Sequence, residues 1–301
     1  MAIERACVRA VRKPWGSADL RPWSAIDPDG NPIGELWFQR ADVNAPDPAL
    51  LLKLLFTTQP LSIQVHPDDD YAQSLGLPHG KNEAWYILSA KPGARVAAGL
   101  RRPLKASQLR ATIDDGSIAN LVQWHGVQQD HLVFIPAGTI HAIGAGLVVA
   151  EIQQRSDATF RLFDYGRQRE LQADKAVAAV KPGSADFQSV HRRLTDARTL
   201  LIANRSFVFE RIDVPPNSNW ELRAEKETWA LVLDGDARIG PIDLRVGEAL
   251  FIEADSAEIT IGSAGLRGLL AYPGPEPIPS LLHDLDGTFA GSPDRFAEVR
   301  P

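Results

Sequence analysis

Apolar and polar positions alternate in short runs along almost the whole chain. GELWFQ (34–39), LSIQVH (61–66), EAWYIL (83–88), HLVFIP (131–136), LVVAEI (147–152) and TFRLFDY (159–165) carry the two-residue period and the β-branched or aromatic content of strands. After residue 200 the same signature returns in FVFERIDV (207–214), WALVLDG (229–235), EALFIEA (248–254), AEITIG (257–262) and RGLLAYP (267–273). Gly, Pro, Asp and Asn turns separate these runs at the spacing of a sandwich or barrel. Two stretches in the first half read as helical. One is DPALLLKLL (47–55); the other is PLKASQLRATIDDGSIANLVQWH (103–125), with Gly116 as a break between two short helices.

The pattern also repeats. EAWYIL at 83–88 resembles ETWALV at 227–232, and LVFIPAGTIHAI (132–143) aligns with ALFIEADSAEIT (249–260). In that register His141 meets Glu258. The first copy is longer by about the length of the 103–125 stretch. Two similar β units, the first with a helical insertion, account for this order. The expected organisation is a catalytic unit over 1–200 with the insertion at about 103–125, a second unit over 201–275, and a tail over 276–301. That tail opens in the Pro-rich PGPEPIPS and either wraps the β units or is loosely ordered.

Composition narrows the function classes. The 301 residues are 44% hydrophobic and 23% charged, with a formal net charge of −6 and no long Lys/Arg block. Nucleic acid and anionic membrane surfaces are poor partners for such a chain. A small anionic substrate would need a few local cations acting against the mean field. The single cysteine, Cys7, permits no internal disulfide, and MAIERACVRAVRKPWG lacks the apolar run of a signal peptide. The longest apolar stretch, ALLLKLLF, is too short for a bilayer and contains Lys53. The expectation is a cytoplasmic protein.

LSIQVHPDD raises the question of chemistry. Alternation sends Ser62, Gln64 and His66 to one face and Leu61, Ile63 and Val65 to the other. Alone, that describes any strand with one solvated face. Downstream, Pro136-Ala137-Gly138-Thr139-Ile140-His141 follows an apolar strand, and Pro-x-Gly-x-x-His there resembles the second half of the metal-binding pattern of the cupins, small jelly-roll barrels. Glu83 opens an apolar strand where a cupin barrel places an acidic ligand, and a carboxylate inside a barrel is costly unless it meets a cation. The fold class expected is therefore all-β, two cupin barrel units with a small helical insertion in the first. The candidate metal set is Gln64, His66, Glu83 and His141. Two imidazoles, a carboxylate and an amide oxygen leave an open position of the catalytic type. One Zn²⁺ per chain is expected, and Mn, Fe or Co would also suit the mixed N/O set. The other histidines, 79, 125, 131, 191 and 283, read as surface residues, with His79 the exception to watch because it precedes Lys81 by two. The second copy has Glu258 in place of His141 and no Gln-x-His, so it is expected to be metal-free.

The ordered motifs KPWGS (13–17), IGELW (33–37), LSIQVHPDD, GKNEAWY (80–86), PAGTIHAIGAG (136–146) and EIQQRSDATFR (151–161) make the chain similar to the type I phosphomannose isomerases, in their short bacterial form. The resemblance implies a zinc enzyme that interconverts mannose 6-phosphate and fructose 6-phosphate, working as a monomer. It places metal ligands at Gln64, His66, Glu83 and His141, substrate contacts at Ser62, Lys81 and Asp157, and the catalytic arginine at Arg161. Two departures touch sugar-orienting positions: Ile143 where the long form often has Tyr, and Ala158 in Ser156-Asp157-Ala158 where the family has Asn.

Such a reaction moves a proton between C1 and C2 through an enediol-like intermediate. A divalent metal with an open position and a fixed guanidinium both stabilise charge developing on oxygen. Lys81 supplies a point cation and Ser62 a hydroxyl donor for phosphate. Glu151 and Asp157 are the candidate bases and Glu151 is preferred, with a structural pairing of Glu151 to Arg161 or Lys81 as the equal alternative. Two other classes compete: a non-catalytic sugar-phosphate-binding cupin, and a non-haem iron cupin oxygenase, which needs neither Lys81 nor Arg161.

Overall fold

The computed structural model describes residues 2–181 and 191–287. Antiparallel sheets dominate, and the chain divides into two compact units. Residues 7–181 lie in one unit; 2–6 and 191–287 lie in the other.

The first unit is a sandwich of two sheets. A six-stranded sheet runs in the order Cys7–Ser17, Ile33–Gln39, Leu50–Thr57, Leu147–Gln154, Glu83–Ala90, Leu132–Ile135. A five-stranded sheet runs Phe160–Phe163, Ile63–Val65, His141–Ile143, Arg95–Leu100, Val122–Gly126. Trp85, Ile87, Val133 and Val149 of the larger sheet share one apolar cluster with Val96, Ala98 and Ile143 of the smaller, so the two sheets pack face to face. A second cluster lies on the outer face of the five-stranded sheet. Ile63, Val65, Ile140 and Ala142 bury there against Leu109 and Ile113 of the helix Ala106–Asp114, Ile118, and Ala176 and Ala179 of the helix Ala173–Ala179. Each of those branched side chains contributes about 1.5–3 kcal/mol by leaving water.

Three local expectations change. DPALLLKLL is not a helix: Leu50–Thr57 is a strand, buried at all eight positions, between two others in the six-stranded sheet. A strand covered on both faces has no need to alternate, so its run of leucines loses the two-residue signature. The 103–125 stretch is helical only in part. Gly116, at φ +77°, does break the helix Ala106–Asp114 from the 3₁₀ turn Ser117–Asn120. Val122–Gly126 then forms an edge strand against Arg95–Leu100. The strand over LSIQVH is only Ile63–Val65. Leu61 consequently escapes the alternation and sits in the inner cluster, its N–H bonded to the Ile143 carbonyl at 2.8 Å.

The second unit is one ten-stranded sheet, with two long strands, Thr228–Ile239 and Asp255–Pro273, paired along two separate stretches. AEITIG and RGLLAYP are one continuous strand. Strand Ala2–Arg5 pairs with Ala249–Glu253. One apolar cluster includes Val208, Ile212, Leu250 and Leu270, while Phe207, Phe209, Trp229 and Phe251 are buried on the opposite face of the same strands. The unit's buried ion pair, Arg198 bidentate to Glu210 at 2.8 and 2.9 Å, is closed by the Tyr272 hydroxyl, which also accepts the Ile278 N–H at 3.0 Å. That contact ties down the start of the tail, and Leu282–Asp284 pairs with Asn219–Ala224. Residues from 288 lie outside the described part. Among the described residues no helix is long and apolar enough to cross a membrane.

Candidate metal centre

Backbone pairing assembles the candidate residues. Arg161, Gln64 and His141 are successive register partners across three neighbouring strands of the five-stranded sheet. With Ile63, Val65, Ile140 and Ala142 committed to the outer cluster, this row faces inward. Glu83 enters from the opposite sheet, at the start of Glu83–Ala90. His66 follows directly on the strand Ile63–Val65, and its carbonyl accepts the Gly138 N–H at 2.8 Å. Gly138, at φ +88°, makes the turn that returns the chain to His141. The loop to Glu83 is equally tight: a Cβ on Gly80 would lie 2.4 Å from the Asp68 carbonyl carbon, so only glycine fits.

His66, Glu83 and His141 form the one group of metal-ligating type among the described residues, all three buried. His66 Nε2 lies 3.4 Å from Glu83 Oε2, and His141 Nε2 lies 3.3 Å from Glu83 Oε1. Each imidazole is oriented from behind. His66 Nδ1 donates to the Ala158 carbonyl at 2.8 Å and His141 Nδ1 to the Thr139 carbonyl at 2.9 Å. A carbonyl can only accept, so both Nε2 lone pairs point at the centre. The Ala158 contact uses backbone alone, which is why a residue other than Asn is tolerated there. Gln64 closes a fourth side: its amide nitrogen donates to His141 Nε2 at 3.3 Å, and its amide oxygen accepts from Ser62 Oγ at 3.0 Å.

The electrostatics fit a cation. Burial pushes the His66 imidazole down to about 4 and lowers His141 as well, so both are neutral and able to ligate. Burial alone would raise Glu83, but the Lys81 ammonium holds its carboxyl well below the usual range. Burial disfavours the Lys81 ammonium, yet Glu83 and Glu151 raise its pKa above the ordinary lysine value. Lys81 Nζ is 2.9 Å from Glu83 Oε2. Even so, His66 Nε2 and both Glu83 oxygens lack any hydrogen-bond partner. Three buried polar atoms converging without a hydrogen bond, only Glu83 Oε2 having the Lys81 ammonium beside it, are expensive in a protein interior and ordinary around a metal.

Beside this centre opens a cavity of about 290 Å³, lined in part by Ser62, Gln64, Lys81, Glu151, Asp157 and Arg161. All the predicted substrate-side residues therefore meet in one place. Arg161 Nε is buried without a partner, and burial, reinforced by Arg169, lowers its pKa from the ordinary arginine value. Glu151 pairs with neither candidate proposed from sequence at close range: Lys81 is 4.0 Å away, and its near partners are Lys53 at 3.3 Å and the Trp85 indole N–H at 3.2 Å. His79 is exposed, as are His131 and His191, while His125 and His283 are half-buried. Sequence reasoning missed Lys13, Glu35, Lys53 and Arg169, which also line the cavity. Lys53 had a signal: a lone ammonium within an unbroken leucine run must be paired inside the protein.

No family model matches the sequence. The chain is 36% identical over 150 residues to mannose-6-phosphate isomerase ManA of Bacillus subtilis, covering 47% of each. The chain spans about half the length of the curated relatives it matches. Among solved structures, the mannose 6-phosphate isomerase of Bacillus subtilis superposes with a TM-score of 0.77 at 24% identity, over 90% of this chain and 99% of that one. A zinc-bound mannose 6-phosphate isomerase superposes with a TM-score of 0.69 at 16% identity, over 91% of this chain and 100% of that one. These likenesses establish the all-β, cupin-type fold.

Proposed function

We propose that this chain, a homologue of proteins named mannose-6-phosphate isomerase that shares their fold, is a metal-dependent aldose–ketose isomerase acting on mannose 6-phosphate and fructose 6-phosphate. The observation that carries the reading is the trio of buried atoms on His66 and Glu83 that lack hydrogen bonds, facing His141 beside a cavity lined by Lys81 and Arg161. A binding-only cupin needs no such open centre, and an oxygenase needs neither cation.

His66, Glu83 and His141 would hold the ion through Nε2, carboxylate and Nε2, with Gln64 as fourth ligand once its amide turns to exchange nitrogen for oxygen. Zinc is the ion the solved neighbour contains and the one this donor set suits. Bound there, it supplies Lewis acidity for the sugar's carbonyl and hydroxyl oxygens. Arg161 reaches into the cavity from the strand next to Gln64 and stabilises negative charge growing on oxygen as the C2 proton leaves; a guanidinium keeps its own proton throughout. Lys81 and Ser62 bind oxygens of the phosphate or sugar, and Asp157, exposed at the cavity wall, orients hydroxyls. Glu151 is the carboxylate that takes and returns the proton between C1 and C2. A cavity of this size sits at the lower bound for small-molecule sites and matches a single hexose phosphate better than an oligosaccharide. The substrate is thus a small sugar phosphate, and the chain acts as a cytoplasmic enzyme.

The test is a coupled isomerase assay on protein stripped by chelator and refilled with single divalent metals. Activity should vanish on stripping and return with zinc in air or in its absence. No turnover of mannose 6-phosphate with any metal would overturn the reading, and a strict requirement for iron and oxygen would favour the oxygenase.

A further inference from the structure

Lys53 stands mid-strand in a run where every residue is buried, its own side chain 5% exposed. An ammonium persists there only if its neighbours supply charge and acceptors. Lys53 Nζ donates to Gln153 Oε1 at 2.7 Å, lies 3.3 Å from Glu151 Oε1, and stands 4.5 Å from the centre of the Trp37 ring. Its cross-strand register partner is Glu151, so backbone pairing sets the contact. On its other flank Glu151 is the register partner of Trp85, whose indole N–H donates to Oε2 at 3.2 Å. The carboxylate is held from both neighbouring strands, with Lys81 Nζ 4.0 Å from the same oxygen that faces Lys53.

The contact belongs to a line of alternating charges. Lys13 Nζ lies 3.2 Å from Glu35 Oε1, and Glu35 is offset from the rise that burial alone would give by Lys53 and Lys13 together. From Lys53 the line continues through Glu151 and Lys81 to Glu83. Two lysines share Glu151. Removing the outer one leaves the carboxylate to Lys81 alone and draws Lys81 away from the cavity.

We propose that Lys53 is a positioning residue of the isomerase site, fixing the Glu151 carboxylate between itself and Trp85 so that Glu151 and Lys81 both face the bound sugar. This rests on the function proposed above. Lys53 acts through Glu151, and three variants test that: Lys53→Met, Lys53→Arg and Lys53→Met combined with Glu151→Gln. In the zinc-loaded full chain, Lys53→Met should lower kcat by between about tenfold and a hundredfold, the range for a misplaced catalytic group, with KM within about twofold and metal content unchanged. Lys53→Arg should recover most of the loss. The double variant should be no slower than Glu151→Gln alone, because groups acting as a unit are not additive. Independently of turnover, the Trp85 indole N–H resonance should move in Lys53→Met and return in Lys53→Arg. If Lys53→Met does not fold, Lys53→Gln is read the same way. Wild-type kcat in the neutral variant, multiplied losses in the double variant, or an unmoved Trp85 resonance would each overturn the proposal. An inactive wild type would overturn the functional reading, and this proposal with it; an active wild type matched by Lys53→Met overturns this proposal alone.

Discussion

The two β units solve the same packing problem in opposite ways. Both pair the strand beginning near the repeated Glu-x-Trp with the one that follows in the repeat: Trp85 against Val133, Trp229 against Phe251. In the first, the next strand places His141 inward beside Gln64. In the second, the equivalent Glu258 pairs with Glu221 and faces solvent, while Ala257, Ile259 and Ile261 enter the core. The difference follows from what covers the outside. Two helices lie on the outer face of the first unit's five-stranded sheet, so its branched residues bury there and the inner face is free to be polar. Among its described residues the second unit has only the 3₁₀ turn Pro279–Leu281. Its strands bury apolar side chains on both faces, Val208, Ile212, Ala230 and Val232 on one and Phe207, Phe209, Trp229 and Leu231 on the other, so neither face is left for polar groups. In the first unit the helices Ala106–Asp114 and Ala173–Ala179 cover the outer face, and the polar row Arg161, Gln64 and His141 lies on the inner one.

The largest break of this contrast should come at the centre. Glu83→Gln removes the charge that two imidazoles and Lys81 surround, and should abolish stoichiometric metal and cut kcat/KM by about a thousandfold, read by metal analysis and the coupled assay. In the second unit, Arg198→Ala strands the buried Glu210 carboxylate and should cost about 3–5 kcal/mol in denaturant unfolding, without changing the metal ligands. Replacing Arg198, Glu210 and Tyr272 together with apolar residues should restore much of that stability; the same exchange at Lys53 and Glu151 should leave a folded but inactive protein. Leu109→Ala thins the helical cover of the first unit and should cost about 2–5 kcal/mol, and the competition of the protein against a metal-chelating dye should weaken in parallel, because Gln64 and His141 ride on the covered sheet. Smallest of all, Glu258→Gln on the solvent face should change stability by less than about 0.5 kcal/mol and leave metal content and activity unaltered. A metal or activity loss there would mean the two interiors differ less than described.

Much of this was legible in the chain. Strand positions and the all-β class follow from alternation and turn spacing, and His66, Glu83 and His141 announce themselves through motif order. What alternation could not show is a strand buried on both sides. Leu50–Thr57 reads as helix because its period is erased by burial, and Lys53 was lost with it. Leu61 misleads for the converse reason: the strand is three residues long, and the two-residue rule was extended beyond its end. Glu151 illustrates a further limit. Sequence names a carboxylate near the site, but only the register with Lys53 and Trp85 says which groups hold it.

The pairing of Ala2–Arg5 with Ala249–Glu253 has a consequence for how the molecule is made. Ala2–Arg5 leaves the ribosome nearly 250 residues ahead of its partner strand, a wait of about 12–50 s at ordinary rates of synthesis. Residues 7–181, which carry the candidate site, are made well before then, so that unit can fold while Ala2–Arg5 is still unmatched. Until the late strand arrives, that opening segment is a free sheet edge available to any other growing chain.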